Sequence, residues 1–280
     1  MVSDSTSPPI EPAAAPAVAI RELTRKFGDF TAVDRATADI PVGEVLGVIG
    51  PNGAGKSTLI KMLTTLLPPT SGSALVAGHD IVRAPAEVRR HIGYVPQLLS
   101  ADGSLTGYEN MLLSARLYGI PRAEQDTRIT GALARMGLTA SADHLVGRYS
   151  GGMIRRLEIA QSLMHRPAVL FLDEPTVGLD PAAREAVWEH VLDLRDAFKT
   201  TMVVTSHMME EIDQFCDRIA LIDRGRIAVI DTPAGLKARV GPNATLDDVF
   251  IELVGATTET EAERAYGEIR RTRRAAREHG

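Results

Sequence analysis

The sequence predicts an α/β fold built around a mainly parallel sheet. Short β-branched runs alternate with helical segments over most of the 280 residues, and strands that alternate with helices favour parallel pairing through crossover connections. The chain contains 44% hydrophobic and 24% charged residues. These fractions are ordinary for a globular protein, and a chain of this length can bury a core without a disulfide or metal to support it.

Composition and charge exclude several classes of protein. Cys216 is the sole cysteine, so a disulfide framework is excluded and a cysteine-rich zinc site is disfavoured. The net charge of -5 argues against non-specific binding to nucleic acid. No apolar run approaches the roughly 18 residues that cross a bilayer, and the N-terminus has no secretory signal. We therefore expect a cytoplasmic protein with no nucleic-acid partner.

The elements follow one another in a clear order. Four prolines predict a loose, disordered tail over residues 1–16. Strands are predicted at 18–23, 38–40, 45–49, 73–76, 92–95, 169–172 and 202–205, with a hairpin over 219–230. Helices are predicted at 56–66, 106–136 (broken at Pro121), 150–166, from 180 onwards, at 208–215 and at 246–254. The helical stretch 106–165 interrupts the alternation and reads as an insertion into the sheet domain.

A glycine-rich segment between a predicted strand and a predicted helix matches the pattern G-x-x-x-x-G-K-[ST]. Its candidate nucleotide-binding residues are Gly50, Pro51, Asn52, Gly53, Ala54, Gly55, Lys56, Ser57 and Thr58. Glycines let successive N–H groups face one anion, and the following helix adds its positive end. In such loops the lysine, here Lys56, reaches the β- and γ-phosphates and the hydroxyl, here Ser57, ligates Mg²⁺. The alternative is a glycine-rich turn without a ligand.

Two adjacent carboxylates end the apolar run 169–172. Asp173 is placed to hold Mg²⁺, as an aspartate does at this strand end in phosphate-loop enzymes. Glu174 beside it is a candidate general base that takes a proton from an attacking water. An acidic turn after a core strand is the alternative, and on its own it would be the better reading.

A second helix end also has the character of an anion site. Ser150 is a good N-cap, and Gly151 and Gly152 leave backbone N–H groups uncovered at the start of a helix. When this tripeptide is considered alone, an ordinary capped helix is the better explanation.

The order and spacing of these motifs resemble the nucleotide-binding subunit of ABC transporters over residues 18–230. The motifs in chain order are 50–57, Gln97, 150–152, 173–174, 178–180 and His207. The resemblance implies a phosphate-loop ATPase of ABC type, with an antiparallel N-terminal β part and an inserted helical subdomain over about 98–165. It also implies that two copies enclose two Mg·ATP, each nucleotide contacting the phosphate loop of one copy and residues 150–152 of the other.

Several roles follow from the resemblance alone. Gln97 would sense Mg²⁺ and water and contact the membrane partner, and Asp180 would communicate across the dimer. His207 would hold the γ-phosphate and the attacking water. Phe27 would stack on adenine where the family usually has Tyr. Taken singly, His207 could be a surface histidine, Gln97 a plain loop residue and Phe27 a core residue.

Within the family the chain resembles the daunorubicin-resistance branch of drug exporters. The similar segments are 105–110, 149–163 and 244–255. Tyr149 and Met153 replace the Leu and Gln of the usual signature L-S-G-G-Q, so a contact that needs that glutamine amide is in doubt. The domain organisation expected is a tail over 1–16, a nucleotide domain over 17–240 and a C-terminal helical extension over 241–280.

We therefore predict the ATP-hydrolysing subunit of an exporter of hydrophobic drugs or amphiphiles. It would act as a homodimer on the inner face of the cell membrane, bound to a separate transmembrane permease. A non-transport ATPase that clamps nucleic acid or a ribosome is one alternative, and a small-molecule kinase with a phosphate loop is another. The helix at 246–254 either packs on its own domain or contacts the dimer partner. The arginine-rich segment 264–280 is either a solvated tail or a site for anionic lipid.

Overall fold

The computed structural model describes residues 15–254, apart from the side chains of Leu194 and Val254. Residues 1–14 of the tail predicted over 1–16, and the arginine-rich segment 264–280, lie outside this range. The strands are β1 Val18–Phe27, β2 Phe30–Ile40, β3 Val45–Ile49, β4 Ser71–Val76, β5 His79–Asp80, β6 Ile92–Val95, β7 Val169–Asp173, β8 Thr201–Thr205, β9 Arg218–Asp223 and β10 Arg226–Asp231. The helices are α1 Lys56–Leu63, α2 Pro85–His91, α3 Gly107–Leu117, α4 Arg122–Arg135, α5 Gly151–Leu163, α6 Pro181–Phe198, α7 Met209–Phe215, α8 Pro233–Val240 and α9 Leu246–Val254.

The strands form two sheets. The larger has the order β10-β9-β3-β8-β7-β6 and is parallel except for the β9–β10 hairpin. The smaller is antiparallel with the order β2-β1-β4-β5. The predicted α/β fold is therefore confirmed, including the antiparallel N-terminal part. Within residues 15–254 no helix is both long enough and apolar enough to cross a membrane.

The central strands are apolar because both of their faces are covered. Every residue of β3, β7 and β8 is buried, which is the expected pattern for parallel strands between two layers. One layer of the core contains α1 and the small sheet, and the other contains α5, α6 and α7. Trp188 of α6 is fully buried and stacks on Phe215 of α7 with ring centroids 4.8 Å apart.

The helical insertion contains α3 and α4, which pack on α5. Thr106 and Glu109 form the predicted capping box, each side chain bonding the other residue's backbone N–H. Pro121 separates the two helices as predicted, because proline cannot continue the ladder of backbone hydrogen bonds.

Some elements differ from the prediction. The β1–β2 hairpin is longer than the runs 18–23 and 38–40, because its outer half mixes exposed polar residues with a few apolar ones and so gives no continuous apolar signal. The short helices α2 and α8 were not predicted, since each buries a single side chain, Val88 and Leu236 respectively. Helix α9 buries Leu246 and contacts α7 and α8, which is the packing alternative for this segment.

Candidate functional site

The phosphate loop is closed in by the backbone of neighbouring strands. Gly55 caps α1 with φ +106, and a Cβ there would lie 2.3 Å from the carbonyl oxygen of Ala32. A Cβ at Gly50 would lie 2.2 Å from the carbonyl oxygen of Ile222. The loop is thus held between β2 and β9 at distances that only glycine permits.

Lys56 lies inside this loop with 6% of its surface exposed. Its Nζ donates to the carbonyl oxygens of Gly50 at 2.7 Å and Pro51 at 3.1 Å. Burial lowers the pKa of Lys56, and the nearby carboxylates of Glu174 and Asp173 oppose that shift. The loop therefore carries an amine surrounded by backbone dipoles, at the place where the sequence predicts a phosphate.

Asp173 ends β7 beside the first turn of α1. Its Oδ1 accepts hydrogen bonds from Ser57 Oγ at 3.3 Å and from Thr205 Oγ1 at 2.6 Å. Mg²⁺ prefers oxygen ligands such as hydroxyl and carboxylate groups. Substrate phosphates and water usually complete its coordination shell. The pair Ser57 and Asp173 therefore fits a magnesium ion bound together with a nucleotide. Among the described residues no group of three or more His, Cys, Asp or Glu could hold a metal ion by itself.

Glu174 receives one polar side chain from the loop after each neighbouring strand. Its Oε2 accepts from Gln97 Nε2 at 3.1 Å and lies 3.4 Å from His207 Nδ1. Strand β7 lies between β6 and β8 in the sheet. Because these strands are parallel, their carboxyl ends meet at one edge, and Gln97 and His207 reach Glu174 from opposite sides.

The backbone at Glu174 is strained. Its φ is +50, a left-handed conformation that costs a non-glycine residue about 1–3 kcal/mol. The Glu174 N–H donates to Thr205 Oγ1 at 2.9 Å and to the Thr205 carbonyl oxygen at 3.1 Å. These bonds fix the direction in which the carboxylate leaves the strand.

The helix end at residues 150–152 is open by comparison. Ser150 Oγ accepts from the Met153 N–H at 3.3 Å, and Ser150 and Gly151 are exposed. Tyr149, which replaces the usual Leu, is buried and donates its hydroxyl to the Ser141 carbonyl at 2.6 Å. In the described part of the chain no hydrogen bond or ion pair joins residues 150–152 to the phosphate loop.

The two remaining candidates are also separate from the phosphate loop. Asp180 caps α6 and accepts from the Ala183 N–H at 2.9 Å. Phe27 ends β1 with 47% of its surface exposed, and the Arg25 guanidinium lies 4.6 Å from its ring centroid. Hydrogen bonds and close contacts link Ser57, Gln97, Asp173, Glu174 and His207, and the Lys56 ammonium interacts with the two carboxylates through its charge. In the described part of the chain, Phe27, residues 150–152 and Asp180 have no hydrogen bond to this group.

The sequence analysis missed three residues around this group. Thr205 bonds both Asp173 and the backbone of Glu174, and a polar residue ending the buried run 202–204 could have signalled it. Arg155 and Glu158 form a buried ion pair on α5 at 3.1 Å. The spacing of an Arg and a Glu at i and i+3 on one helix is the local signal available for this pair.

Comparison with known proteins agrees with this geometry. The family model described as "ABC transporter" matches residues 33–177, just over half of the chain. The chain is 44% identical over 242 residues to the daunorubicin/doxorubicin resistance ATP-binding protein DrrA of Streptomyces peucetius. The aligned region covers 86% of this chain and 72% of that protein.

Two solved structures show the same fold. One is cbiO1 from Clostridium perfringens, titled as part of the ABC transporter complex cbiONQ, with a TM-score of 0.73 and 28% identity over 80% of this chain and 91% of that chain. The other is titled as the dimeric, post-hydrolysis state of an ATP-binding cassette bound to ADP and Pi. Its TM-score is 0.69 at 26% identity, over 77% of this chain and 98% of that chain.

Proposed function

The chain belongs to the family of ABC transporter ATP-binding proteins, and we propose that it is the ATP-hydrolysing subunit of an exporter of hydrophobic drugs or amphiphiles. The observation that carries the proposal is the position of Glu174 between Gln97 and His207, next to a phosphate loop that already contains Lys56. The cargo class is supported by the relative whose name specifies resistance to daunorubicin and doxorubicin.

The chemistry follows from the residues around Glu174. A water oxygen attacks the γ-phosphorus, its proton passes to the Glu174 carboxylate, and the bond from phosphorus to the β–γ bridging oxygen breaks to release ADP. Lys56 and the loop N–H groups stabilise the charge that develops on the phosphoryl oxygens. Gln97 and His207 hold the carboxylate oxygen in position. Ser57 and Asp173 would hold Mg²⁺, which supplies further neutralisation of phosphate charge.

A second copy of the chain completes the site. Ser150 and Gly151 are exposed at the positive end of a helix of 13 residues, yet residues 150–152 have no hydrogen bond to the phosphate loop of their own chain within the described residues. A homodimer in which this end of one copy meets the γ-phosphate on the other uses both features. Removal of the γ-phosphate by hydrolysis then removes the ligand that joins the two copies.

A separate membrane permease is the partner that the exposed surface next to Gln97 fits. Leu98 and Leu99 are 82% and 51% exposed, and Leu113 and Leu117 of α3 are 46% and 77% exposed. Exposed large apolar side chains that lie close together mark protein interfaces, and Leu98 and Leu99 directly follow Gln97 in the same loop. A permease bound here would sit directly beside Gln97 and hold the subunit on the cytoplasmic face of the membrane.

The change Glu174→Gln tests the proposal. The amide keeps the shape of the side chain but cannot take a proton, so we expect ATP hydrolysis to fall at least about 100-fold. ATP binding should persist, and an ATP-bound dimer should accumulate in size-exclusion chromatography. Glu210→Gln, an exposed change on α7, is the matched control and should behave like the unmodified protein. Hydrolysis at the normal rate in the Glu174 variant would remove this residue from the role of base.

A further inference from the structure

We propose that the buried ion pair Arg155–Glu158 on α5 is a positioning device that holds the loop 96–101 and thereby aims the Gln97 side chain at Glu174. The inference rests on the proposed ATPase function for its catalytic consequence. That the ion pair holds the loop 96–101 is independent of ATP hydrolysis.

The pair is buried to a degree that needs explanation. The side chains of Arg155 and Glu158 are 3% and 2% exposed, with Nη1 and Oε2 3.1 Å apart. Moving two charges out of water is costly, and an apolar pair of similar volume is often equally stable. Burial of this ion pair therefore does not by itself indicate that it stabilises the fold. The other hydrogen bonds of the two side chains indicate its role.

Those other bonds all go to one exposed loop. Arg155 donates from Nη1 to the Pro96 carbonyl at 2.7 Å and from Nη2 to the Gln97 carbonyl at 2.9 Å. The rigid guanidinium fork suits two neighbouring carbonyls, whereas an ammonium acts as a single point charge.

Glu158 holds the far end of the same loop. Its Oε1 accepts from Ser100 Oγ at 3.1 Å and from the Ala101 N–H at 3.2 Å, and also from the Ser100 N–H. Residues 97–100 are themselves exposed, so packing does not fix them. The ion pair ties both ends of the loop to α5.

The consequence for the site runs through Gln97. Its backbone carbonyl is bound to Arg155, and its side-chain amide donates to Glu174 Oε2 at 3.1 Å. Helix α5 begins at Gly151, beside Ser150. The helix whose N-terminus is the second candidate anion site therefore also fixes the position of Gln97, the residue that contacts Glu174. A movement of α5 would therefore change the contact between Gln97 and Glu174 in the same chain.

The test replaces the pair by apolar residues in the double variant Arg155→Met/Glu158→Leu and measures steady-state hydrolysis with ATP and Mg²⁺. We expect kcat to fall at least about tenfold while KM for ATP stays within about threefold, because a misplaced group costs rate more than binding. Arg155→Lys, which keeps the charge and loses the fork, should recover only part of kcat. Glu44→Gln breaks the ion pair of Glu44 with Arg218, 2.9 Å long, and is the control for lost stability.

The same replacement in a Gln97→Ala background separates positioning from stability. If the pair acts through Gln97, the loss of kcat should be absent there, since the two changes remove one and the same contact. An equal loss of kcat in both backgrounds, or an equal loss in Glu44→Gln at a matched melting temperature, would overturn the inference.

Amide hydrogen exchange provides a readout that does not depend on hydrolysis. In the double variant the amides of Ser100 and Ala101, which donate to Glu158, should exchange at least about tenfold faster, with no such change in Glu44→Gln. If the unmodified protein hydrolysed no ATP, the proposed function would fail, and exchange would still decide whether the pair holds the loop. Unchanged exchange would reject the inference whatever the ATPase result.

Discussion

Two helix N-termini in this molecule are candidates for binding phosphate, and they are built in different ways. The end of α1 is enclosed, with Gly50 and Gly55 pressed against backbone carbonyls and Lys56 already inside. The end of α5 is open, since a Cβ at Gly151 would meet only Leu179 Cδ2 at 3.6 Å. The end of α1 is enclosed by its own chain, whereas the end of α5 exposes Ser150 and Gly151 to solvent.

Because the two helix ends differ in this way, mutations at them should affect the stability of the fold and the binding of nucleotide differently. At the enclosed end the same backbone contacts serve both, so a substitution should damage stability and nucleotide binding together. At the open end no atom lies closer than 3.6 Å to a Cβ built at Gly151, so a substitution of this residue should leave the fold intact.

The largest loss is expected for Gly55→Ala. The new Cβ would lie 2.3 Å from the Ala32 carbonyl oxygen at a φ of +106, so both a clash and backbone strain are introduced, costing at least about 3 kcal/mol. Gly53→Ala is the matched control, because its φ is +80 but its Cβ meets nothing within 4 Å. That control should lose only about 1–2 kcal/mol. Urea unfolding measures the free energy of unfolding of the two variants. Equal losses in the two would contradict the conclusion that backbone carbonyls enclose the phosphate loop.

An intermediate loss is expected for Thr205→Val. The change removes the hydrogen bond to Asp173 Oδ1 at 2.6 Å and one acceptor for the Glu174 N–H, at a cost of about 1–3 kcal/mol. Thr200→Val is the control, since this buried threonine donates only to the Pro167 carbonyl, at 3.1 Å. We expect similar melting temperatures for the two variants, with kcat lowered about tenfold only by the change at Thr205. A normal kcat in the Thr205 variant would show that this hydroxyl does not orient the carboxylates.

The sequence predicts the enclosed end well because its determinants are local. Gly50, Gly53 and Gly55, followed by Lys56 and Ser57, are read directly from residues 50–57. The carboxylates at 173 and 174 follow a buried strand whose end is evident. The positions of Gln97 and His207 beside Glu174 follow once β6 and β8 are known to flank β7.

The rest depends on contacts between distant parts of the chain. Arg155 bonds Gln97 across 58 residues, and Thr205 bonds Asp173 across 32, so no local pattern specifies either pair. The full length of the β1–β2 hairpin also escapes the sequence pattern, because its pairing contains three register shifts between Ile20 and Lys26, which interrupt the alternation of apolar residues.

The smallest effect on stability is expected for Gly151→Asp, which tests the open end. The position has room for a side chain, and a carboxylate at a helix N-terminus stabilises the helix by about 0.3–1 kcal/mol. The same charge would repel the γ-phosphate of a nucleotide bound to a second copy. Melting temperature should be unchanged or raised, while hydrolysis should fall at least about 100-fold.

Mixing two inactive variants tests the shared site most directly. Glu174→Gln lacks the base but keeps residues 150–152, whereas Gly151→Asp keeps the base and lacks a usable helix end. The two proteins are combined in equal amounts before ATP is added, and phosphate release is followed. If each site takes its base from one copy and residues 150–152 from the other, mixed dimers contain one intact site. Activity should then return to as much as about a quarter of the unmodified level. A mixture as inactive as its two components would contradict the account.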